Sequence, residues 1–171
     1  MRFFFALSIV SFIGACTGVP ENIRPVGDFD LNRYLGTWYE IARLDHSFER
    51  GLDNVYAEYT LREDGGVKVI NRGYSKKQRT WKQAEGKAYF VRSKNEGYLK
   101  VTFFGPFYSS YVVFELDSEN YSYAFVTGYN NSYLWLLSRN PVANAGLIER
   151  FIREAKELGF DTDELIFVDN I

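Results

Sequence analysis

The chain has 171 residues with 22 acidic against 20 basic side chains, and 18% of it is aromatic, including 13 Tyr and 15 Phe. A chain of this length buries roughly two thirds of the surface its unfolded form exposes, so one domain holds together without a metal or a disulfide. The charges are mixed along the sequence, which excludes the clustered Lys and Arg of a nucleic-acid surface. The aromatics lie in short runs separated by Gly, Asn, Asp and Ser, the composition of many short strands rather than of a helical bundle.

The first fifteen residues, MRFFFALSIVSFIGA, carry one Arg, then an apolar stretch, then small residues, and no acid. This is a secretory signal peptide, too short and wrongly flanked to span a membrane. Cys16 follows directly and is the only cysteine, so an internal disulfide is impossible. Ile13, Gly14, Ala15 and Cys16 resemble the bacterial lipobox, in which the cysteine becomes the lipidated first residue of the mature protein. That resemblance implies an outer-membrane anchor facing the periplasm, since Thr17 rather than Asp comes next. Several acyl chains hold far more firmly than one. Residues 16 to 28, with Pro20 and Pro25, read as an extended tether, and the folded domain runs from 29 to 171.

A short helical turn is expected in DFDLNRYLG, closed by Gly36. Strand patterns follow at about 36–45, 54–63, 66–74, 80–91, 98–104, 109–117, 121–129 and 132–138. Val55, Ala57, Tyr59 and Leu61 alternate with polar neighbours, as do Leu99, Val101 and Phe103, so these strands are apolar on one face. REDGGV carries an Asp-Gly hairpin signal, and SKKQR at 75–79 reads as a solvated loop. From Asn144 to Leu158 the period changes: Leu147, Ile148, Phe151, Ile152, Ala155 and Leu158 mark one side of a helix stopped by Gly159. A last short strand is expected at 165–168. Eight strands close a small barrel, and the single helix must lay its apolar stripe on the outside. The fold class is therefore all-β, an eight-stranded antiparallel up-and-down barrel with one C-terminal α-helix packed against it.

Gly36, Thr37 and Trp38 match the Gly-x-Trp motif of lipocalins, and YLWLLSR at 133–139 resembles their last barrel strand ending in Arg. YLGTWYEIAR, FERGL, EGKAYF and FFGPFY are similar to the bacterial, outer-membrane lipoprotein branch of that family, over about residues 29–169. Of the family's second motif only Asp117 carries over. The resemblance implies a closed end built from Gly36, Trp38, Asp117 and Arg139, with the Arg139 guanidinium on the Trp38 indole.

Parity from Trp38 then points Glu40 and Ala42 into the lumen, and parity from Arg139 points in Leu137, Trp135 and Tyr133. Matching the remaining lipocalin strands adds Val55, Ala57, Tyr59, Val69, Asn71, Ala84, Phe90, Val101, Phe103, Phe114, Tyr123 and Phe125 as lining. The family implies a cavity for a hydrophobic small molecule, and the mostly apolar lining suits an acyl chain such as a fatty acid or lysophospholipid. Glu40 is the exception, and it serves either as a polar anchor for a head group or as the partner of a neighbour such as Asn71. No cofactor or metal is implied, because His46 is the only histidine and Cys16 is committed to the anchor. An acid/base role for Glu40 with Tyr59 is the enzyme alternative. FFGPFYSSY at 103–111, read as a loop at the open end, leaves a third: an aromatic segment that rims the mouth, touches the membrane or pairs two subunits.

Overall fold

The computed structural model describes residues 17–170, so the signal peptide and Cys16 lie outside the described residues. A four-residue helix α1 (Leu31–Tyr34) is capped by the Asp30 side chain and leads into eight strands: β1 (Gly36–Arg43), β2 (Leu52–Leu61), β3 (Val67–Ser75), β4 (Thr80–Phe90), β5 (Tyr98–Phe104), β6 (Phe107–Leu116), β7 (Tyr123–Thr127) and β8 (Leu134–Ser138). Each strand pairs antiparallel with the next, and β1 pairs with both β2 and β8, which closes the barrel. Helix α2 (Ala145–Glu157) follows, and a two-residue strand β9 (Ile166–Phe167) adds to the end of β1 at Ala42 and Arg43.

Two apolar clusters occupy the two sides of the wall. The inner one includes Trp38, Tyr59, Val69, Leu99, Val113, Ala124, Val126 and Leu137. The outer one lies beneath α2, where Phe151 and Ala155 bury against Phe125, Leu134 and Leu136. Asn144 caps α2 by accepting from the Leu147 N–H. Strands apolar on both faces follow from this arrangement, since one side meets the lumen and the other the helix.

Two expectations from the sequence are corrected by the packing. Residues 17–28 are not a free tether. Ile23 is fully buried in the outer cluster, Val26 exchanges backbone hydrogen bonds with Val113 and Gly97, and the Thr17 and Gly18 carbonyls accept from Tyr98 and Ser110. Apolar Ile23 and Val26 find a complementary wall there, which outweighs the stiffening effect of the two prolines. The 103–111 stretch is also not a long loop, because Phe104 and Phe107 pair across a turn of Gly105 and Pro106 and β6 runs on from it.

Candidate binding site

The closed end is assembled around one indole. Trp38 is fully buried; its Nε1 donates to the Tyr34 carbonyl at 2.7 Å, and the Arg139 guanidinium carbon lies 3.9 Å above its ring. Arg139 also donates to four carbonyls: Tyr121 from Nε, Thr37 from Nη1, and Arg33 and Leu35 from Nη2, at 2.7 to 3.2 Å. Gly36 sits beneath it at φ +96°, and a Cβ there would lie 3.4 Å from Nη1. The motif glycine thus answers both a backbone demand and a close approach. Asp117 holds the β6–β7 turn by accepting from the Glu119, Asn120 and Ser122 N–H groups and the Ser122 hydroxyl. All four expected closed-end residues therefore meet at one end of the barrel.

Just above, Tyr34, Tyr111 and Tyr59 join their hydroxyls, at 2.7 Å between Tyr34 and Tyr111 and 3.1 Å between Tyr59 and Tyr111. Burial pushes all three phenols above their usual range. Tyr59, expected as open lining, is part of this floor. Phe90 joins it, its ring edge-on to Phe29 at 6.2 Å.

Above the floor the wall opens. Ala57 pairs with Trp38 on one side and Asn71 on the other, and Asn71 pairs with Ala84. Ala57, Asn71, Val101, Phe103, Tyr133 and Trp135 are partly exposed although they face inward or stand at the mouth; Val55 and Val69 are buried, and Ala84 is exposed. Phe103 lies across Gly86, where a Cβ would come within 2.8 Å of its ring.

Four residues expected to line the lumen, Ala42 by parity and Phe114, Tyr123 and Phe125 by the match to lipocalin strands, are not in it. Phe125 packs edge-on to Phe151 of α2 at 4.9 Å, Phe114 stacks on Phe160, and the Tyr123 hydroxyl accepts from Arg150 of α2. Ala42 belongs to the same outer cluster. For Ala42 and Phe114 the physical reason is a pair of register shifts, between Glu40 and Ala42 on β1 and between Val113 and Glu115 on β6, which locally break the alternation. On β7 the inward positions are Ala124 and Val126, and with both faces apolar the sequence offered no contrast to reveal it.

The β1 shift brings in a residue that alternation had placed outside. Arg43 is 2% exposed and pairs with Glu40, Nη1 to Oε1 at 2.5 Å, while its Nη2 donates to the Glu49 carbonyl at 3.0 Å. Glu49, on the β1–β2 loop, accepts from Trp135 Nε1 at 3.2 Å and lies 3.4 Å from His46 Nδ1. Glu40 is thus paired with Arg43 rather than Asn71, whose Oδ1 is buried with no hydrogen-bond partner. Burial, with Glu49 nearby, pushes the Glu40 carboxyl well above the carboxylate range despite Arg43. Burial also raises Glu49, against the Trp135 hydrogen bond and Arg43. Burial, reinforced by Arg43, pulls His46 down to about 4, so its imidazole is neutral near pH 7. Three oppositely charged residues within ten positions at the end of one strand were the only sequence signal for this cluster.

A family model described as a lipocalin-like domain matches residues 29–170. The chain is a lipocalin. It is 61% identical over 168 residues to the outer membrane lipoprotein Blc of Vibrio cholerae, covering 98% of each chain. The Escherichia coli K12 protein of the same name is 50% identical over 149 residues, 87% of this chain and 84% of the relative. Among solved structures, insecticyanin of the tobacco hornworm superposes with a TM-score of 0.69 at 22% identity, covering 89% of this chain and 86% of that one, which shows the shared barrel. This lipocalin belongs to the bacterial outer-membrane lipoprotein branch and is a binding protein rather than an enzyme; its cell location is the outer membrane.

Proposed function

We propose that this lipocalin holds the acyl chain of a fatty acid or lysophospholipid in its lumen, tail toward Trp38, while a lipid on Cys16 keeps it at the outer membrane. The observation that carries the reading is the partial exposure of inward-facing Ala57, the residue paired with Trp38 at the floor, beneath an apolar wall of Val101, Phe103 and Trp135. Accessible surface at that depth supports an extended chain. Each buried methylene contributes about 0.8 kcal/mol, set against an association cost of about 4 to 15 kcal/mol, so affinity should be micromolar and should tighten with chain length.

The test is a titration of the domain with saturated fatty acids and lysophospholipids of increasing length. Ala57→Trp should abolish binding of the longer chains while leaving the melting temperature within a few degrees. Length-independent affinity in the wild type would contradict the reading. Cys16→Ser should move the protein from the membrane to the soluble periplasmic fraction, and continued sedimentation with membranes would contradict the anchor.

A second reading rests on Phe48, Phe104 and Phe107, which are 60%, 83% and 66% exposed on the open-end loops and turn. Such a rim suits pairing of two copies, which sedimentation of the domain before and after Phe104→Ser decides.

A further inference from the structure

Along the upper lumen wall, one cation stands among two acids. Arg43 holds Glu40 at 2.5 Å with side chains 2% and 4% exposed, and Glu49 is 7% exposed beside them. Burial raises both carboxyls, and the neighbouring Glu49 raises Glu40 further, so a proton is favoured on the pair. With His46 neutral, the cluster balances only when it holds one positive equivalent beyond Arg43. Its polar capacity is also unfilled: Arg43 Nε and both His46 ring nitrogens are buried without a hydrogen-bond partner, and His46 is 7% exposed with Nδ1 directed at Glu49 from 3.4 Å.

We propose that this cluster is a head-group subsite for the protonated amine of an amphiphile, the ligand's ammonium serving as the second cation beside Arg43 for the Glu40 and Glu49 carboxyls. The inference rests on the lumen reading above and deepens it by naming the chemistry of the head group. The exchange balances: the carboxyl proton leaves to solvent, and the two carboxylates then face Arg43 and the ammonium. Aromatic rings stand around the same point. His46 stacks on Phe48 at 4.2 Å, Trp135 lies 4.9 Å from His46, and Tyr133 lies 6.1 Å from Trp135. Indole and phenol faces attract an ammonium and do not attract a carboxylate. Asn71 Oδ1, buried and without a partner, is a further acceptor on the inward face of β3.

The titratable and charged groups that face the cluster are Glu40 and Arg43 on β1, Asp45, His46 and Glu49 on the β1–β2 loop, and Tyr59 on β2, with Trp135 of β8 and the preceding Tyr133 lining it. Burial lowers His46 and raises both carboxyls, which places the exchangeable proton on the acids and not on the imidazole. A fatty-acid carboxylate would meet two acids there and only the remaining Nε–H of Arg43.

The experiment compares a primary alkylamine, a fatty acid and an alkanol of equal chain length, titrated calorimetrically into the mature chain carrying Cys16→Ser, in buffers of different ionisation enthalpy. The amine should bind about 10- to 100-fold more tightly than the alkanol and release about one proton per ligand, the range expected for a charge-assisted hydrogen bond made in a buried site. Glu49→Gln should bring amine and alkanol to within about threefold of each other, and Glu40→Gln supplies the same comparison should the first variant fold poorly. Equal affinity of amine and alkanol in the wild type, tighter binding of the fatty acid, or an amine preference that survives both variants would overturn the subsite while leaving the lumen reading standing. Failure of all three probes to bind would overturn both.

Discussion

Two arginines mark the two ends of this barrel, and they are used differently. At the floor, Arg139 spends its donors on four carbonyls and its face on Trp38, all fixed by the local backbone. Toward the mouth, Arg43 pairs with the Glu40 carboxyl and donates to the Glu49 backbone carbonyl, while the buried Glu49 carboxyl beside it has no ion pair with Arg43, whose Nε is left over. The first arrangement closes a polar account and makes a rigid plug. The second leaves charge and hydrogen-bonding capacity directed at the lumen, where a ligand can complete them. The difference teaches that a buried charge is structural when its surroundings saturate it and available for recognition when they do not.

The sharpest way to test that contrast is to remove the floor arginine. Arg139→Ala strips hydrogen bonds from four carbonyls and uncovers the Trp38 indole, and should cost on the order of 3 kcal/mol in chemical denaturation while chain-length preference in binding stays unchanged. A variant of wild-type stability that has lost binding would place Arg139 in the ligand site and erase the distinction between the two ends.

A smaller effect is expected from His46. Its folded-state value of about 4 lies below the ordinary 6.5, so the folded protein binds fewer protons there than the unfolded chain. The corresponding stability is present above about pH 6.5 and is lost as pH falls toward about 4. The stability of the wild type relative to His46→Gln should therefore fall by about 2 kcal/mol between about pH 7 and about pH 5, at about 1.4 kcal/mol per unit. A difference that does not vary with pH would mean that His46 is already charged or solvated in the fold.

Glu40 has the opposite sign. Its carboxyl is raised by burial and by Glu49, so its contribution is fully present below the ordinary value of 4.5 and is lost as pH rises through the folded value. Glu40→Gln resembles the protonated form, so the variant should gain on the wild type as pH rises above 4.5. A variant that instead loses ground would show Glu40 to be an ordinary ionised partner of Arg43, and the cluster would then resemble the floor.

The sequence by itself determined the strand order, the position of α2 and the closed end. Alternation in β2 and β5, the 3.6-residue stripe from Leu147 to Leu158 and the Gly36-x-Trp38 motif each depend on short stretches of chain, and each appears where it was expected. Only the tertiary structure decided which face of β1, β6 and β7 meets the lumen. A register shift is an agreement between two strands, invisible in either one alone, and it sent Ala42 and Phe114 to the helix side and Arg43 to the inside. Where α2 covers the wall, both faces are apolar, so the usual signal of burial on one side and water on the other is absent. The charged cluster depends on the same fact: Glu40, Arg43 and Glu49 become neighbours only after the bulge has turned β1 and the loop has folded Glu49 back over Trp135.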